Sequence, residues 1–311
     1  MSLERIETFM DNVSALLKED HYDVQKRTIN NHTSLGLKDV IEDLFTSGKK
    51  VILTIGKGGV GKTTIAAAIA VGLTERGKKV HLITTDLAVQ LNSIINETSG
   101  IIWSQVDEKA ELKNYQEEVL FKAKETMSNE DFAYLEEDLR SPWTQEIATF
   151  RALAEIIDKV EVQSNEHAKE HAKEQVVVID TAPTGNTLLR LEPTQSDNQE
   201  MKCPPHYTPD SVKKILPTMR NADETEVIIV TLAEATAVYE AMRLEDDLRQ
   251  ADINTKWWIV NKSQYNTGIT NDILSEKALN EKSWINKVDE HASGNYAIIG
   301  WSVNGREMDK R

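Results

Sequence analysis

Short apolar runs alternate with helical patterns along most of the chain beyond residue 48. The runs are rich in β-branched residues and lie at Val51–Ile55, Val80–Thr84, Val176–Ile179, Val227–Leu232, Trp257–Val260 and Ala297–Trp301. Helical periodicity separates most of them, as at Thr63–Arg76 and Ala235–Gln250. Near-continuous apolar strands that alternate with helices predict an α/β fold, with a mostly parallel, doubly wound sheet covered on both faces.

Two stretches depart from this alternation and determine the predicted domain organisation. Apolar residues recur at helical spacing near the start of the chain, which predicts an N-terminal helical extension or linker over residues 1–47. The interval between the second and third strands is rich in Glu, Lys and Leu and is too long for one crossover helix. We therefore expect one domain over residues 48–311, with a helical subdomain inserted at about residues 105–163 as Gln105–Trp143 and Thr144–Val162.

Composition and charge narrow the classes of function. The chain has 311 residues, with 36 Lys and Arg against 51 Asp and Glu, which gives a formal net charge of −15. This acidic balance argues against a nucleic-acid partner, because such proteins need a basic face. The single cysteine, Cys203, excludes a disulfide within the chain and a metal site made only of cysteines. The sequence shows no secretory leader or membrane-spanning run, so we expect a cytoplasmic protein.

The segment Gly56–Thr64, which reads G-K-G-G-V-G-K-T-T, matches the phosphate-binding pattern G-x-x-x-x-G-K-[ST]. It follows a predicted strand and opens a predicted helix, as the pattern requires. Glycines let backbone N–H groups surround phosphates, the helix N-terminus adds partial positive charge, and Lys62 reaches the outer phosphate oxygens. Thr63 is placed to ligate Mg²⁺. The expected nucleotide contacts are Gly58, Gly59, Val60, Gly61, Lys62, Thr63 and Thr64.

Three charged residues complete the predicted site. Lys57 is a second lysine in the loop, either a solvated side chain or a positive charge that stabilises the transferred phosphoryl group, in this subunit or a neighbouring one. Asp180 ends a buried strand, as expected of a carboxylate that holds Mg²⁺ through water. Asp86 follows another strand and could orient or deprotonate the attacking water, although such an aspartate is often a turn or cap residue.

Several segments resemble one family of ATPases. Lys57–Thr64 resembles the deviant phosphate loop of the partitioning and cell-division ATPases. Asp180–Gly185, which reads D-T-A-P-T-G, narrows the resemblance to the arsenical pump-driving ATPases and their relatives that deliver tail-anchored membrane proteins. Leu135–Ala148 is similar to the second of the two homologous halves of the bacterial arsenical ATPase. Val230–Glu234 and Trp258–Asn261 extend the resemblance, which covers about residues 35–301.

This resemblance implies a P-loop NTPase fold and an Mg²⁺-dependent ATPase. Lys57 would cross a dimer or pseudodimer interface to the nucleotide of a homologous half, and Asp86 would act on the attacking water. Asp180 would begin the second switch segment, and Asn261 would contact adenine. The implied partner is a membrane arsenite permease, with the ATPase cytoplasmic and peripheral at the inner face of the membrane.

Three positions depart from the pattern of that family. Leu87 follows Asp86 where the family usually has proline, and Asn186 replaces a histidine that binds metalloid. Trp143 stands in place of a metalloid-binding cysteine. Because As(III) and Sb(III) prefer thiolate ligands, a chain whose one candidate thiol is Cys203 should bind them weakly.

We therefore expect an ATP-hydrolysing subunit that energises arsenite or antimonite efflux through a membrane partner, with degraded metalloid ligands. One alternative is a carrier of the tail-anchored-protein type, although the chain lacks the Cys-x-x-Cys pair by which such homodimers usually bind zinc. A second alternative is a non-catalytic half that pairs with a separately encoded first half. The altered residues Leu87 and Asn186 keep this last interpretation open.

Overall fold

The structure, a computed structural model, describes residues 28–29, 32–33, 35–85, 100–124, 127–166, 175–180, 217–265 and 272–301. These ranges contain nine strands and seven helices with described bounds, and residues 217–220 are also helical. The strands are β1 Thr28–Ile29, β2 His32–Thr33, β3 Val51–Ile55, β4 Lys79–Thr84, β5 Ile101–Gln105, β6 Gln175–Asp180, β7 Thr225–Leu232, β8 Thr255–Ser263 and β9 Tyr296–Gly300. The helices are α1 Leu37–Thr46, α2 Lys62–Glu75, α3 Glu108–Lys124, α4 Asn129–Asp138, α5 Pro142–Glu166, α6 Ala235–Gln250 and α7 Asp272–Ala292. Within these ranges, no helix has both the length and the apolar character that crossing a membrane needs.

Seven strands form one parallel sheet in the order β5-β4-β6-β3-β7-β8-β9, and β1 pairs with β2 as a short antiparallel hairpin. The predicted α/β class with a doubly wound parallel sheet is confirmed, and all six predicted strands are present. The edge strand β5 was not predicted. Its burial explains the omission, because Ile101 is buried while Ile102 is 58% exposed, so the segment has no continuous apolar run.

Alternate residues of each strand point to opposite faces of the sheet, and both faces are covered. Leu53 and Val177 lie in the core of one face, and Ile52 and Val178 lie in the core of the other. The neighbouring residues Trp257 and Trp258 are both buried but belong to different faces. Apolar burial on two faces is what a run without polar alternation requires.

Helices α1 and α2 cover one face. Helix α2 is buried from Ile65 to Leu73, and its small side chains Ala66, Ala67 and Ala68 allow close packing between the sheet and α1. Helix α1 contributes Leu37, Val40, Ile41 and Leu44 to the same core. Residues 37–46, which the predicted organisation assigned to the extension, thus pack directly on the sheet domain, while residues 1–27 lie outside the described residues.

Helices α3 to α5 lie between β5 and β6 in the chain and pack, with α6 and α7, on the opposite face. The predicted helical start at Gln105 is wrong, because β5 ends at that residue and α3 begins at Glu108. The predicted break between Trp143 and Thr144 is also wrong, since α5 begins at Pro142 and continues past both. Proline suits the first helical position, where its missing N–H would have no partner within the helix.

Candidate functional site

The loop between β3 and α2 has the backbone that a phosphate-binding turn needs. Gly56 and Gly61 have φ angles of +150° and +97°. A Cβ at Gly56 would lie under 3.0 Å from the carbonyl oxygen of Val230 on β7, so only glycine fits where the loop leaves the sheet. Gly61 occupies the N-cap position of α2, and Lys62 is the first residue of that helix.

The N-terminus of α2, which follows the loop, has no side-chain cap among the described residues. Gly61 has no side chain that could accept a hydrogen bond from the first turn, and that turn contains no acidic residue. Such an end combines free N–H donors with the positive end of the helix dipole, which favours an anion. Lys62, Thr63 and Thr64 are half-buried there, whereas Lys57 is exposed. The predicted loop residues are therefore together at one helix end.

Asp180 lies at the carboxyl end of β6, next to the strand that carries the loop. It pairs in register with Thr54 of β3, two residues before Gly56, and is 3% exposed. The hydroxyl of Thr84, at the end of β4, donates a hydrogen bond to Asp180 Oδ2 over 3.1 Å. The fold thus places a buried, oriented carboxylate beside the base of the phosphate loop, at the strand ends where parallel sheets bind ligands.

Thr54 and Thr84 are parts of this site that sequence reasoning missed. Both are fully buried, and both pair in register with Asp180 across β3, β6 and β4. The Thr54 hydroxyl donates to the carbonyl oxygen of Ile179 over 3.4 Å. The sequence signal for such residues is a hydroxyl near the carboxyl end of an apolar strand. A buried hydroxyl there needs a hydrogen-bond partner, which indicates a polar site.

Asn261, at the carboxyl end of β8, contacts the phosphate loop directly. Its buried side-chain Nδ2 donates to the carbonyl oxygen of Val60 over 2.8 Å, and its Oδ1 accepts from the backbone N–H of Lys262 over 2.9 Å. The Lys262 Nζ donates to the carbonyl oxygen of Gly59 over 3.3 Å. The adenine contact of Asn261 stays a prediction, and the contact with Val60 is a role that sequence reasoning did not foresee.

Several predicted residues lie outside the described residues, namely Asp86, Leu87, Asn186 and Cys203. The side chain of Trp143 is likewise not described. Among the described residues, no group of three or more His, Cys, Asp or Glu side chains is arranged to hold a metal ion. The described site therefore consists of the loop, Asp180 with its two threonines, and Asn261 with Lys262.

Comparison with known proteins places this site in a family. The family model described as "Anion-transporting ATPase" matches residues 49–203 and 192–298, a range that includes the phosphate loop, Asp180 and Asn261. The chain belongs to this family. The resemblance noted from the sequence motifs is thereby confirmed, and the parallel sheet with its glycine loop is the P-loop NTPase fold of the family.

Individual relatives of the chain show how far the similarity extends. The "Arsenical pump-driving ATPase" of Escherichia coli is 35% identical over 296 residues, which cover 91% of this chain and 48% of that protein. The protein of the same name from Acidiphilium multivorum is 35% identical over 86% of this chain and 44% of its own length. The "ATPase GET3" of Kluyveromyces lactis is 25% identical over 80% of this chain and 83% of its own. The chain thus spans about half the length of the two arsenical relatives.

Proposed function

We propose that this chain hydrolyses ATP and thereby energises arsenite or antimonite efflux through a membrane permease. The observation that carries this proposal is the phosphate loop at the N-terminus of α2 with the buried Asp180 one strand away. Phosphoryl transfer depends mainly on positioning and charge stabilisation, and such a pairing supplies both. The arsenical relatives, at 35% identity, support the choice of transport over other uses of ATP.

The functional side chains of the proposed site then have distinct tasks. Lys62 neutralises the outer phosphate oxygens, and Lys57, which is exposed, extends toward the nucleotide of a partner. Asp86 orients the attacking water. The Thr63 hydroxyl is a hard oxygen ligand of the kind that Mg²⁺ prefers, and the Asp180 carboxylate would hold the ion through water, so the residues present fit that ion. Bound Mg²⁺ would supply charge neutralisation at the phosphates.

The proposed assembly is a dimer, or a pseudodimer with a homologous half. The arsenical relatives are about twice as long as the matched part of this chain, which fits a protein built from two such units. We place the assembly at the cytoplasmic face of the membrane, where a permease would receive the motion that hydrolysis drives. The acidic net charge of −15 gives no support to a nucleic-acid partner.

ATPase measurements on separated monomer and dimer fractions test the proposal. We expect Mg²⁺-dependent turnover that Asp86→Asn abolishes, because the attacking water loses its positioning carboxylate. Lys57→Met should abolish turnover while ATP binding persists, since its charge acts on the phosphoryl group in transit. Lys277→Met, at an exposed lysine of α7, is the matched control and should leave the rate unchanged. If the chain binds ATP but shows no hydrolysis that depends on Asp86, the proposed ATPase activity is refuted. That result would favour a non-catalytic partner half.

Antimonite separates the metalloid role from simple ATP hydrolysis. Because Asn186 and Trp143 replace metalloid ligands of the family, antimonite should stimulate this chain weakly or not at all. A stimulation of about tenfold, equivalent to about 1.4 kcal/mol in the activation barrier, would contradict this ligand assignment. The relative named ATPase GET3 keeps the carrier alternative in view, but the one cysteine of this chain cannot form a Cys-x-x-Cys pair.

A further inference from the structure

The carboxyl end of β8 contains an irregularity directly beside the phosphate loop. Between Val260 and Ser263 the strand advances three residues while its partner β9 advances two, from Ile298 to Gly300. This extra residue is a β-bulge, which changes the directions of the side chains it contains. In a regular strand, Asn261 and Lys262 would point to opposite faces. Here both reach the same loop, Asn261 to Val60 and Lys262 to Gly59.

Lys262 also has a backbone conformation that a lysine rarely adopts. Its φ is +55°, in the left-handed region that favours glycine. The other described residues of this kind besides glycine are Asp252, two residues after the end of α6, and Ser293, directly after α7, where left-handed residues commonly end helices. Lys262 ends no helix. Strain of this kind persists where the surroundings determine the conformation, and it often accompanies functional sites.

The bulge is held in place from behind by α7. The buried carboxylate of Glu281 accepts hydrogen bonds from the Ser263 hydroxyl and from the backbone N–H of Gln264, both over 2.8 Å. The carbonyl oxygen of Ser263 accepts a further bond from the N–H of Trp301 over 2.8 Å. The residues after Lys262 are therefore fixed to a helix and to the end of β9, which gives Lys262 a rigid base.

We propose that Lys262 is a positioning residue of the phosphate loop, acting with Asn261 to hold the loop in its binding conformation. Both side chains donate to successive carbonyl oxygens, those of Gly59 and Val60. In a trans peptide unit the N–H points away from its carbonyl oxygen, so a held carbonyl also fixes the N–H of the next residue. The loop is thereby ordered before nucleotide arrives. The role given to Lys262 rests on the proposed nucleotide binding. The two hydrogen bonds themselves do not depend on that proposal.

Hydrogen exchange without nucleotide tests the contacts themselves. Lys262→Met keeps an unbranched side chain but loses the donor, and it should speed amide exchange in peptides that cover residues 56–64. Lys262→Arg, which keeps a cationic donor, should restore slow exchange at least in part. Lys277→Met on α7 is the matched control and should leave the loop unchanged. If the amides of residues 56–64 exchange at the same rate in Lys262→Met as in the unmodified chain, the proposal is overturned.

A pair of glycine variants separates positioning from stability. Lys262→Gly relieves the left-handed strain and removes the donor, so the melting temperature should hold or rise while the Kd for ADP increases about three- to tenfold, the range for one lost hydrogen bond. Ser293→Gly relieves similar strain at the exposed end of α7 and should leave the Kd unchanged. An unchanged Kd in Lys262→Gly would refute the positioning role. Failure of the unmodified chain to bind ADP would instead refute the proposed function, and the exchange experiment would still judge the contacts.

Discussion

Gly61→Ala probes the contact between the phosphate loop and β8. Gly61 has a φ of +97°, and a Cβ there would lie under 3.0 Å from Asn261 Nδ2. The Asn261 carboxamide cannot move away freely, because it bonds Val60 over 2.8 Å and Lys262 over 2.9 Å. The substitution therefore imposes two costs, one from the backbone conformation and one from the displaced amide.

The size of each cost follows from the geometry. A residue with a Cβ in the left-handed region loses about 1–2 kcal/mol, and a buried amide that loses its partner costs about 1–3 kcal/mol. Gly61→Ala should therefore lower the free energy of unfolding by roughly 2–5 kcal/mol. Gly77→Ala is the matched control, since Gly77 has a φ of +94° and a Cβ added there would meet no atom within 4 Å. Gly77→Ala should lower the free energy of unfolding only by the cost of the backbone conformation, about 1–2 kcal/mol.

Urea unfolding of both variants, with equal slopes checked, measures the difference between them. A larger loss in Gly61→Ala than in Gly77→Ala would place the Asn261 carboxamide against the loop in solution. Equal losses would refute this reasoning, because the backbone strain is matched and only the contact with Asn261 differs. Nucleotide is left out of the measurement, so that binding does not shift the apparent stability.

Two further perturbations test the surroundings of the site and the amino end of β8. Glu281→Gln should lower the free energy of unfolding by about 1–2 kcal/mol, because the buried carboxylate accepts two hydrogen bonds from the end of β8. Glu276→Gln, at an exposed residue of the same helix, is the control. Equal urea midpoints for the two variants would contradict the proposed stabilising role of Glu281. Burial raises the pKa of the Asp43 carboxyl, but hydrogen bonds from Lys256 and Trp257 outweigh this effect and hold the pKa below its ordinary value. Ionised Asp43 thus stabilises the fold fully above the ordinary pKa of an aspartate and loses this effect as the pH falls through its lowered pKa. Asp43→Asn should therefore make the free energy of unfolding, measured by urea titration, depend less on pH in the acid range, and an unchanged pH dependence would refute the assignment.

The parts of the molecule that sequence reasoning predicted are those with a local signal. The phosphate loop is contiguous from Gly56 to Thr64, and the strand and helix that flank it carry their own apolar patterns. The six predicted strands are buried on both faces, so each forms an apolar run. The edge strand β5 is paired on one side only, and with Ile102 exposed its pattern resembles that of a loop.

The parts that could not be predicted depend on which strands become neighbours. Thr84 and Asp180 are 96 residues apart in the chain, and they meet because β4 pairs with β6 rather than with β3. The sequence marks each as a polar residue at the end of an apolar run, but the order β4-β6-β3 is not the order along the chain. A hydroxyl that orients a carboxylate therefore becomes visible only in the folded sheet.

The bulge at Asn261 shows why its contact with the loop was also missed, and what that contact means for adenine. A one-residue irregularity leaves no trace in the apolar pattern of β8, since Trp258 to Val260 are buried as in a regular strand. A carboxamide has two N–H donors and an oxygen that accepts two bonds, and the contacts with Val60 and Lys262 use one of each. A contact with adenine would therefore add to the loop contact rather than replace it. One side chain would then join the base to the phosphate loop, so that binding at either part would order the other.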